Sequence, residues 1–291
     1  MTVRNVLVVY KKSAYQIYVI ERNSSLFVGP ERRALAWDLR RLKRAHEAHR
    51  ATLAEVQRAL RSRGVRFRMI HRAIRHDYRP YELVVAVGGD GTFLEAARGV
   101  TRQVLFGVNS DPDRSAGCFC RANLQTFGRV FESLLNDGAR TQRLHRMQMT
   151  LNQRRLGFTV LNDLLIAHEN PAAMSRYAIA VNGIREEQRS SGLWICTAAG
   201  STGAMQSAGG HAMPKASDAL QYRPRELYRP PGLRYRLTGG LVPAPRPIRL
   251  RSLMRQGMVY VDGAHLKFSF RYGDRLQISR ARDSLCVVDG G

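Results

Sequence analysis

An aspartate flanked by glycines ends an apolar run in the segment LVVAVGGDGTFLEAARGV, residues 83–100. The run predicts a buried strand, and the residues after it follow a helical pattern. Gly88, Gly89 and Gly91 allow backbone N–H groups to approach phosphate oxygens, and the start of a helix favours anions. Asp90 would lie beside those phosphates, where a carboxylate is costly unless it holds a metal or accepts a proton. Both roles occur in phosphoryl transfer to a hydroxyl group.

A tight turn in which Asp90 caps the helix is the simplest alternative. The turn is not a Walker loop, because no Gly-Lys-Ser/Thr follows it, and it does not match the dinucleotide motif GxGxxG. Its position directly after a buried strand favours the phosphate site.

Two later segments carry polar or small side chains that suit a sugar or a flat ligand. Asn162 and Asp163 stand at the start of a predicted strand and could bind sugar hydroxyls, although Asn-Asp is also common in turns. Residues 197–202 are a small-residue turn, and the pair Gly209-Gly210 follows it. Such a stretch leaves room for a ligand against the backbone, or it is a loosely packed loop.

The pattern of elements predicts an open α/β sheet followed by a β-rich region. Continuous apolar runs predict strands, and residues 30–64 predict either one helix or two helices broken near residues 46–52. The strands of this first part are predicted at residues 3–10, 65–70, 82–87 and 103–108. After about residue 141, short alternating runs indicate antiparallel strands. Residues 211–247, rich in Pro, Arg and Gly, are predicted to be a long loop or insertion.

The length and the net charge limit the class of protein and the partners that it could bind. The 291 residues suffice for one large or two ordinary domains, and the formal net charge is +24. Such a charge is typical of nucleic-acid binding, but it also follows from arginine-rich codon usage. The arginines are spread along the whole chain without RNA-type aromatic motifs, which disfavours a dedicated nucleic-acid partner.

No apolar stretch approaches the roughly 20 residues of a membrane span, and no signal-peptide pattern opens the chain. We therefore expect no membrane partner and a cytoplasmic location. The four cysteines are too few for a disulfide framework. Cys118 and Cys120 have no CxxC partner and no nearby histidine pair, so we expect reduced thiols and no metal site built by the protein.

Taken in order, these motifs resemble those of the NAD kinase family. The resemblance runs from about residue 3 to residue 287. GGDGT alone is shared with diacylglycerol and sphingosine kinases, and the later segment SGL…TAAGSTG…SAGG makes NAD kinase the better match. The matching stretches are GGDGT with Phe93-Leu94, Gly107-Val108-Asn109, Asn162-Asp163, residues 191–210 and Val261-Asp262-Gly263. GVNSDPDRSAGCFC and the SSGL segment are closest to the mitochondrial-type branch.

The resemblance implies two domains and a reaction. Residues 1–141 would form an α/β domain with an open, mainly parallel sheet, and residues 142–279 a β-rich, sandwich-like domain that binds NAD. Residues 280–291 would return to the first domain. The enzyme would transfer the γ-phosphoryl of ATP, with Mg²⁺, or of polyphosphate, to the 2′-hydroxyl of the adenosine ribose of NAD. It would form homodimers or homotetramers.

The resemblance also assigns roles to residues. Asp90 would be the general base. The phosphate donor would be held by Gly88, Gly89, Gly91 and Thr92. NAD would be bound by Asp90, Gly91, Phe93, Asn162, Asp163, Arg189, Thr202, Ser207 and Asp262.

Some positions depart from the family pattern. Ala199 lacks a usual hydroxyl and Ala204 lacks a usual aromatic ring, for which Met205 or Tyr177 could compensate. Asp163 stands where glutamate is commoner, and Ser191 replaces an aspartate. Two other functions remain open from the residues: a lipid or other small-molecule kinase that shares GGDGT, and a basic nucleic-acid-binding protein without kinase activity.

Overall fold

The computed structural model describes residues 3–22 and 36–289. The chain divides into two compact units, Met1–Gln142 with Cys286–Gly291, and Arg143–Leu285. The return segment thus begins at Cys286 and not at residue 280 as predicted. Residue 280 still belongs to a strand of the second unit, where Arg280 pairs with Met147.

The first unit is built on a seven-stranded sheet in which the strands of the GGDGT region are central. The strands are β1 Asn5–Tyr10, β2 Arg66–His71, β3 Leu83–Gly88, β4 Val104–Asn109, β5 Cys120–Asn123, β6 Arg140–Leu144 and β19 Leu285–Asp289. Their order is β2-β1-β3-β4-β19-β6, with β5 also pairing with β4. Pairing is parallel between β1 and β2, β1 and β3, β3 and β4, β4 and β5, and β4 and β19.

Every residue of β3 is buried, as expected for a parallel strand covered on both faces. The helices of this unit are α1 Ala36–Ser62, α2 Asp90–Gly99 and α3 Phe127–Leu135, with a π-helical segment at Gln16–Glu21. Helix α1 runs unbroken through residues 46–52, so the single-helix alternative holds there. Residues 30–35 of that prediction lie outside the described chain. Val56 and Leu60 of α1 pack into the same core as the strands.

The second unit contains two six-stranded sheets. The first consists of β7 Met147–Leu151, β8 Arg154–Val160, β10 Ser175–Val181, β11 Ile184–Ser190, β15 Ile248–Ser252 and β18 Arg275–Arg280. The second consists of β9 Asp163–His168, β12 Gly192–Cys196, β13 Leu220–Arg225, β14 Gly240–Val242, β16 Gly257–Val261 and β17 Leu266–Ser269. Their orders are β11-β10-β15-β18-β7-β8 and β14-β13-β12-β9-β16-β17. Alternate residues of both sheets meet in one core, for example Ile179 and Leu250 from the first and Leu193 and Ile195 from the second. A short helix, α4 Ala204–Ser207, follows β12. The predicted fold class, an α/β region followed by a β-rich region, is confirmed.

The prediction of a continuous loop over residues 211–247 is wrong, because the segment contains β13 and β14. Leu220 and Tyr222 of β13 point into the core of the unit. This strand was not predicted because it contains Pro224, and proline disfavours the interior of a sheet. It is tolerated because β14 pairs only as far as Tyr222, so β13 has a free edge at Pro224 on that side.

None of the helices within the described ranges is long and apolar enough to cross a membrane.

Replacing Ile195 by Ala tests the core of the second unit. Ile195 is fully buried, and we expect a loss of about 2–5 kcal/mol in the free energy of unfolding from lost apolar contact and an unfilled cavity. Urea unfolding followed by circular dichroism measures this loss. Leu241→Ala is the control, since Leu241 is 54% exposed, and its effect should stay within about 0.5 kcal/mol. Equal losses in both variants would contradict the described packing.

Candidate functional site

The GGDGT turn joins the end of β3 to the start of α2. Gly88 is the last residue of β3 and Asp90 is the first residue of α2. The N–H groups of Thr92 and Phe93 donate to the carbonyl of Gly89 at 3.0 and 3.2 Å. The turn therefore places Asp90 and its neighbours at a helix N-terminus, where backbone N–H groups favour an anion.

The carboxylate of Asp90 is oriented and only partly covered. Its Oδ1 accepts a hydrogen bond from the backbone N–H of Phe119 at 2.9 Å. Its other oxygen has no hydrogen-bond partner within the described residues. One oxygen is thus held by the fold, and the other is available to accept a proton.

Close contacts explain why two of the three glycines are needed. A Cβ on Gly88 would lie 2.3 Å from Oγ1 of Thr92, and a Cβ on Gly89 would lie 2.3 Å from Oγ of Ser115. Gly91 is exposed, and a Cβ there would make only an ordinary contact, 3.5 Å from Nη1 of Arg72. The backbone of the turn is therefore closely enclosed at Gly88 and Gly89 and open at Gly91.

The side chains of two residues predicted to contact a ligand at this turn are buried. The side chain of Thr92 is 1% exposed and faces Gly88, and its hydroxyl has no hydrogen-bond partner within the described residues. Phe93 is also 1% exposed, and its ring stacks on Phe119 with centroids 5.1 Å apart. Both residues follow the turn on the buried side of α2, which the helical spacing from Asp90 imposes.

Two cations that the sequence analysis missed lie beside the turn. Lys11 directly follows β1 and Arg72 directly follows β2, and the N–H of Arg72 donates to the carbonyl of Tyr10 at 2.8 Å. The Nε atom of Arg72 is 2.9 Å from a carboxylate oxygen of Glu95. Burial lowers the pKa of Lys11, an effect that Asp111 opposes and the charge of Arg72 reinforces. Their position at the carboxyl ends of parallel strands was the available signal.

A buried histidine of α1 fixes the backbone around these cations. His49 is 2% exposed, its Nε2 lies 2.8 Å from the carbonyl of Lys11 and its Nδ1 lies 2.8 Å from Oγ of Ser110. Because a carbonyl only accepts, Nε2 carries the proton and Nδ1 accepts from the hydroxyl of Ser110. Burial, with the charge of Lys11 second, lowers the pKa of His49 to about 4. The neutral imidazole therefore ties the end of β1 to the end of β4.

In the second unit, Asp262 holds the backbone that carries Asn162 and Asp163. Its Oδ1 accepts from the N–H of Asn162 at 2.7 Å and of Asp163 at 3.3 Å, and its Oδ2 from the N–H of Leu161 at 3.4 Å. Asp262 is 6% exposed. The predicted contact between Asp262 and NAD is thus not supported, because its carboxylate is directed at the protein backbone. It positions the residues before β9.

Asp163 has an unusual protonation equilibrium. Its Oδ2 accepts from Nδ2 of Asn162 at 2.9 Å, and the residue is 6% exposed. Burial and then the nearby charge of Asp262 raise the pKa of Asp163 to about 7. Asn162 and Asp163 therefore form a polar pair whose charge changes near neutral pH.

The small-residue turn packs directly on this pair. The N–H of Thr197 donates to the carbonyl of Asn162 at 3.1 Å, and the hydroxyl of Thr197 donates to the carbonyl of Leu161. A Cβ on Gly200 would lie 2.2 Å from the carbonyl oxygen of Asn162, so only glycine fits there. Thr202 and Ser207 are exposed on the same segment. The structure thus groups Asn162, Asp163, Thr202 and Ser207 in one part of the unit.

Arg189 is not part of this group. It lies on β11 opposite Arg176, before β12, whereas the small-residue turn follows β12. The five residues of β12 separate the two by about 16 Å. Within one chain, Arg189 and Asn162 therefore belong to different surfaces.

The prediction that Met205 or Tyr177 compensates for Ala199 and Ala204 is wrong. Tyr177 is fully buried, and its hydroxyl lies 2.9 Å from that of Ser190. Met205 is also fully buried. Neither side chain is available to a ligand, because both fill the interior of the unit.

No group of three or more His, Cys, Asp or Glu side chains in the described ranges is arranged to hold a metal ion. The four cysteines are free thiols.

Comparison with known proteins identifies the family. No protein-family model matches the sequence. A probable NADH kinase from Oryza sativa subsp. japonica is 36% identical over 229 residues, which cover 71% of this chain and 70% of the relative. An NADH kinase from Arabidopsis thaliana is 32% identical over 307 residues, covering 96% of this chain and 93% of the relative. The chain belongs to the NAD kinase family.

A solved NAD kinase shares the fold. The crystal structure of an NAD kinase from Archaeoglobus fulgidus in complex with ATP superposes with a TM-score of 0.71 at 19% identity, covering 98% of this chain and 94% of the other. The predicted family is therefore confirmed by the relatives, and the predicted fold class by the shared fold.

The substitution His49→Asn should remove the contribution of the imidazole to the change of unfolding free energy with pH. The pKa of His49 is about 4 in the folded state against 6.5 for the ordinary group. Its contribution is therefore complete above pH 6.5 and is lost as the pH falls toward 4, by about 3 kcal/mol. Urea unfolding at several pH values between 7.5 and 4.5 measures this.

The difference in unfolding free energy between the wild type and His49→Asn is the quantity to compare, because Asp163 acts in the opposite direction. Its raised pKa favours folding below its ordinary value of 3.8 and loses that effect as the pH rises through about 7. Asp163 is common to both proteins and cancels in the difference. A difference that does not change with pH would contradict the role of His49.

Proposed function

We propose that this chain transfers the γ-phosphoryl of ATP to the 2′-hydroxyl of the adenosine ribose of NAD or NADH, with Asp90 as the general base. Membership of the NAD kinase family gives the reaction class. The observation that carries the assignment of Asp90 is its geometry: one oxygen is held by the N–H of Phe119 and the other is available, at the N-terminus of α2.

The first unit is suited to hold the phosphate donor. Backbone N–H groups at Gly89 and Gly91 and the start of α2 would bind the phosphates. Lys11 and Arg72 would offset the negative charge that develops during transfer. As the ribose oxygen bonds to the γ-phosphorus, its proton passes to Asp90 and the bond to ADP breaks. Lys11 keeps its place because His49 holds its carbonyl.

The second unit is suited to recognise the nucleotide. Asn162 and Asp163 offer an amide and a carboxylate to ribose hydroxyls. Thr202 on the adjoining turn and Ser207 at the end of α4 present exposed hydroxyls. Asp262 would act indirectly, by positioning Asn162 and Asp163. A role for Arg189 in NAD binding stays a prediction.

Mg²⁺ would enter with the nucleotide. Such ions are commonly bound by one or two carboxylates together with substrate phosphates. No carboxylate cluster for such an ion is present within the described residues, and the available oxygen of Asp90 is needed to accept the proton, so the substrate phosphates would supply most of the oxygens that hold the ion. The bound ion would supply charge neutralisation between phosphate oxygens, while the residues of the chain orient the reactants and accept the proton.

Both redox forms of the acceptor are candidates. The rice and Arabidopsis relatives are named as NADH kinases. The reacting 2′-hydroxyl belongs to the adenosine half of the dinucleotide, so the residues assigned to it do not contact the nicotinamide ring. We therefore propose that the chain accepts NADH as well as NAD. The comparisons give no support to the lipid-kinase alternative.

Exposed apolar side chains and free thiols support proposals for the assembly and location of the protein. Tyr228, Leu233 and Tyr272 are exposed, and with Arg189 they line a groove of about 610 Å³ on the second unit. A cluster of exposed apolar side chains is typical of an interaction surface, which supports a homodimer or homotetramer. The free cysteines suit the reducing conditions of a cytoplasm.

Conversion of Asp90 to Asn tests the proposed reaction. Wild-type protein should form NADP from NAD, and NADPH from NADH, with Mg²⁺ and ATP, and the same assay compares polyphosphate as donor. Asp90→Asn should lower kcat by roughly 10²–10⁴-fold, because the amide cannot accept the proton. Asp113→Asn is the control, because Asp113 is exposed and its substitution removes the same charge. Near-normal turnover in Asp90→Asn would exclude the general-base role, and an inactive wild type would exclude the function.

Binding of NAD should tighten as the pH rises through 7. Asp163 has a pKa of about 7, and its ionised form makes the stronger, charge-assisted hydrogen bond to a ribose hydroxyl. Isothermal titration of NAD between pH 6 and pH 8 should show this in the wild type. Asp163→Asn should bind NAD more weakly, by about 1–3 kcal/mol, with an affinity that no longer changes over this range. An unchanged pH profile in the variant would place Asp163 outside the site.

A further inference from the structure

The outward face of one sheet in the second unit contains a recess of about 470 Å³. Ile179 and Leu250 point into the core, so their neighbours along the strands point away from it. Four arginines line the recess, Arg185, Arg249, Arg251 and Arg275. No acidic and no aromatic side chain is among its lining residues.

The strand register places these arginines around a floor of small side chains. Ala180 pairs with Arg185 on one side and with Arg249 on the other. Ala178 pairs with Arg251 on one side and with Glu187 on the other. Long cationic side chains on β11, β15 and β18 therefore stand around two methyl groups, which form the floor of the recess.

Two of the arginines lie directly opposite each other. Arg251 pairs with Arg275 across β15 and β18. Like charges in directly opposite positions of an antiparallel pair destabilise a sheet. None of the four arginines forms an ion pair with any residue in the described chain. Arg249 instead donates from Nε to Oε1 of Gln277 at 3.1 Å. The face thus carries a repulsion that a bound anion would relieve.

We propose that this recess binds a short inorganic polyphosphate chain. Guanidinium groups bind phosphate oxygens in a bidentate manner, and several of them in one recess match an anion with several charges. The lining has no aromatic ring on which a base could stack, which favours a phosphate chain over a nucleotide. A second copy of the same face is disfavoured, because a twofold contact would set arginines against arginines.

The recess is separate from the residues assigned to the nucleotide. It lies on the sheet of β10, β15 and β18, whereas Asn162 and Asp163 lead into β9 of the other sheet. The two sheets share the core, so their outward faces point in opposite directions.

Titration of tripolyphosphate into the full chain tests the proposal, with a non-hydrolysable ATP analogue at saturation to fill the donor site. One tripolyphosphate should bind per chain. The double variant Arg249→Gln/Arg275→Gln should weaken its affinity at least tenfold and reduce the dependence of binding on salt concentration. The control Arg66→Gln/Arg68→Gln removes two exposed arginines from β2 and lowers the net charge equally. Its affinity should stay within twofold of the wild type.

Four results would overturn the proposal. The first is no binding to the wild type under these conditions, and the second is equal weakening in both double variants, which would indicate diffuse attraction. The third is loss of ATP-analogue binding in Arg249→Gln/Arg275→Gln, which would make the recess a nucleotide site. The fourth is a change of oligomeric mass by light scattering in that variant alone, which would make the face an interface between copies.

Discussion

The carboxylate of Asp262 organises the polar part of the second unit, because it accepts hydrogen bonds from three consecutive backbone N–H groups at residues 161–163. Those amides lie at the start of β9, and a buried amide left without a partner would cost about 1–3 kcal/mol. The same contacts set the direction of Asn162 and Asp163. They also place the carbonyl of Asn162 where Thr197 binds it and where Gly200 must pass without a side chain. A single charge thus determines the shape of a surface formed by three separate segments of the chain.

In the first unit, a neutral side chain fixes the backbone beside the candidate site. His49 reaches from the middle of α1 to the ends of β1 and β4, and its buried ring stays uncharged because its pKa lies at about 4. An imidazolium at this position could not accept the hydroxyl hydrogen bond of Ser110. Lys11 can therefore remain close to the GGDGT turn without a second buried cation beside its backbone. In both units, a side chain that need not touch a ligand sets the positions of the side chains that would.

What the sequence could predict depended on how local the interaction was. The GGDGT turn was predictable because strand, glycines and helix start are contiguous, and β1, β3 and β4 were predictable from unbroken apolar runs, whereas β5 has no such run and was missed. The roles of Asp262 and His49 were not, because their partners lie about 100 and about 60 residues away. Strand β13 was not predicted, because it contains Pro224 and several arginines. Whether a strand tolerates this proline depends on how far the neighbouring strand β14 extends, which the sequence does not show. Tyr177 was misassigned because burial in a sandwich depends on register, which a single strand does not reveal.

The position of β19 has a consequence for how the protein is made. This strand lies between β4 and β6 in the sheet of the first unit, although residues of the entire second unit separate it from both in the chain. A ribosome delivers β1 to β5 long before residues 285–289, so Val104 and Leu105 of β4 at first lack their partners in β19, and β6 emerges without its neighbour. Long-range parallel pairing of this kind is slow to form. The sheet that carries the GGDGT turn is therefore completed only after the second unit has been synthesised, which links the maturation of the first unit to the folding of the other.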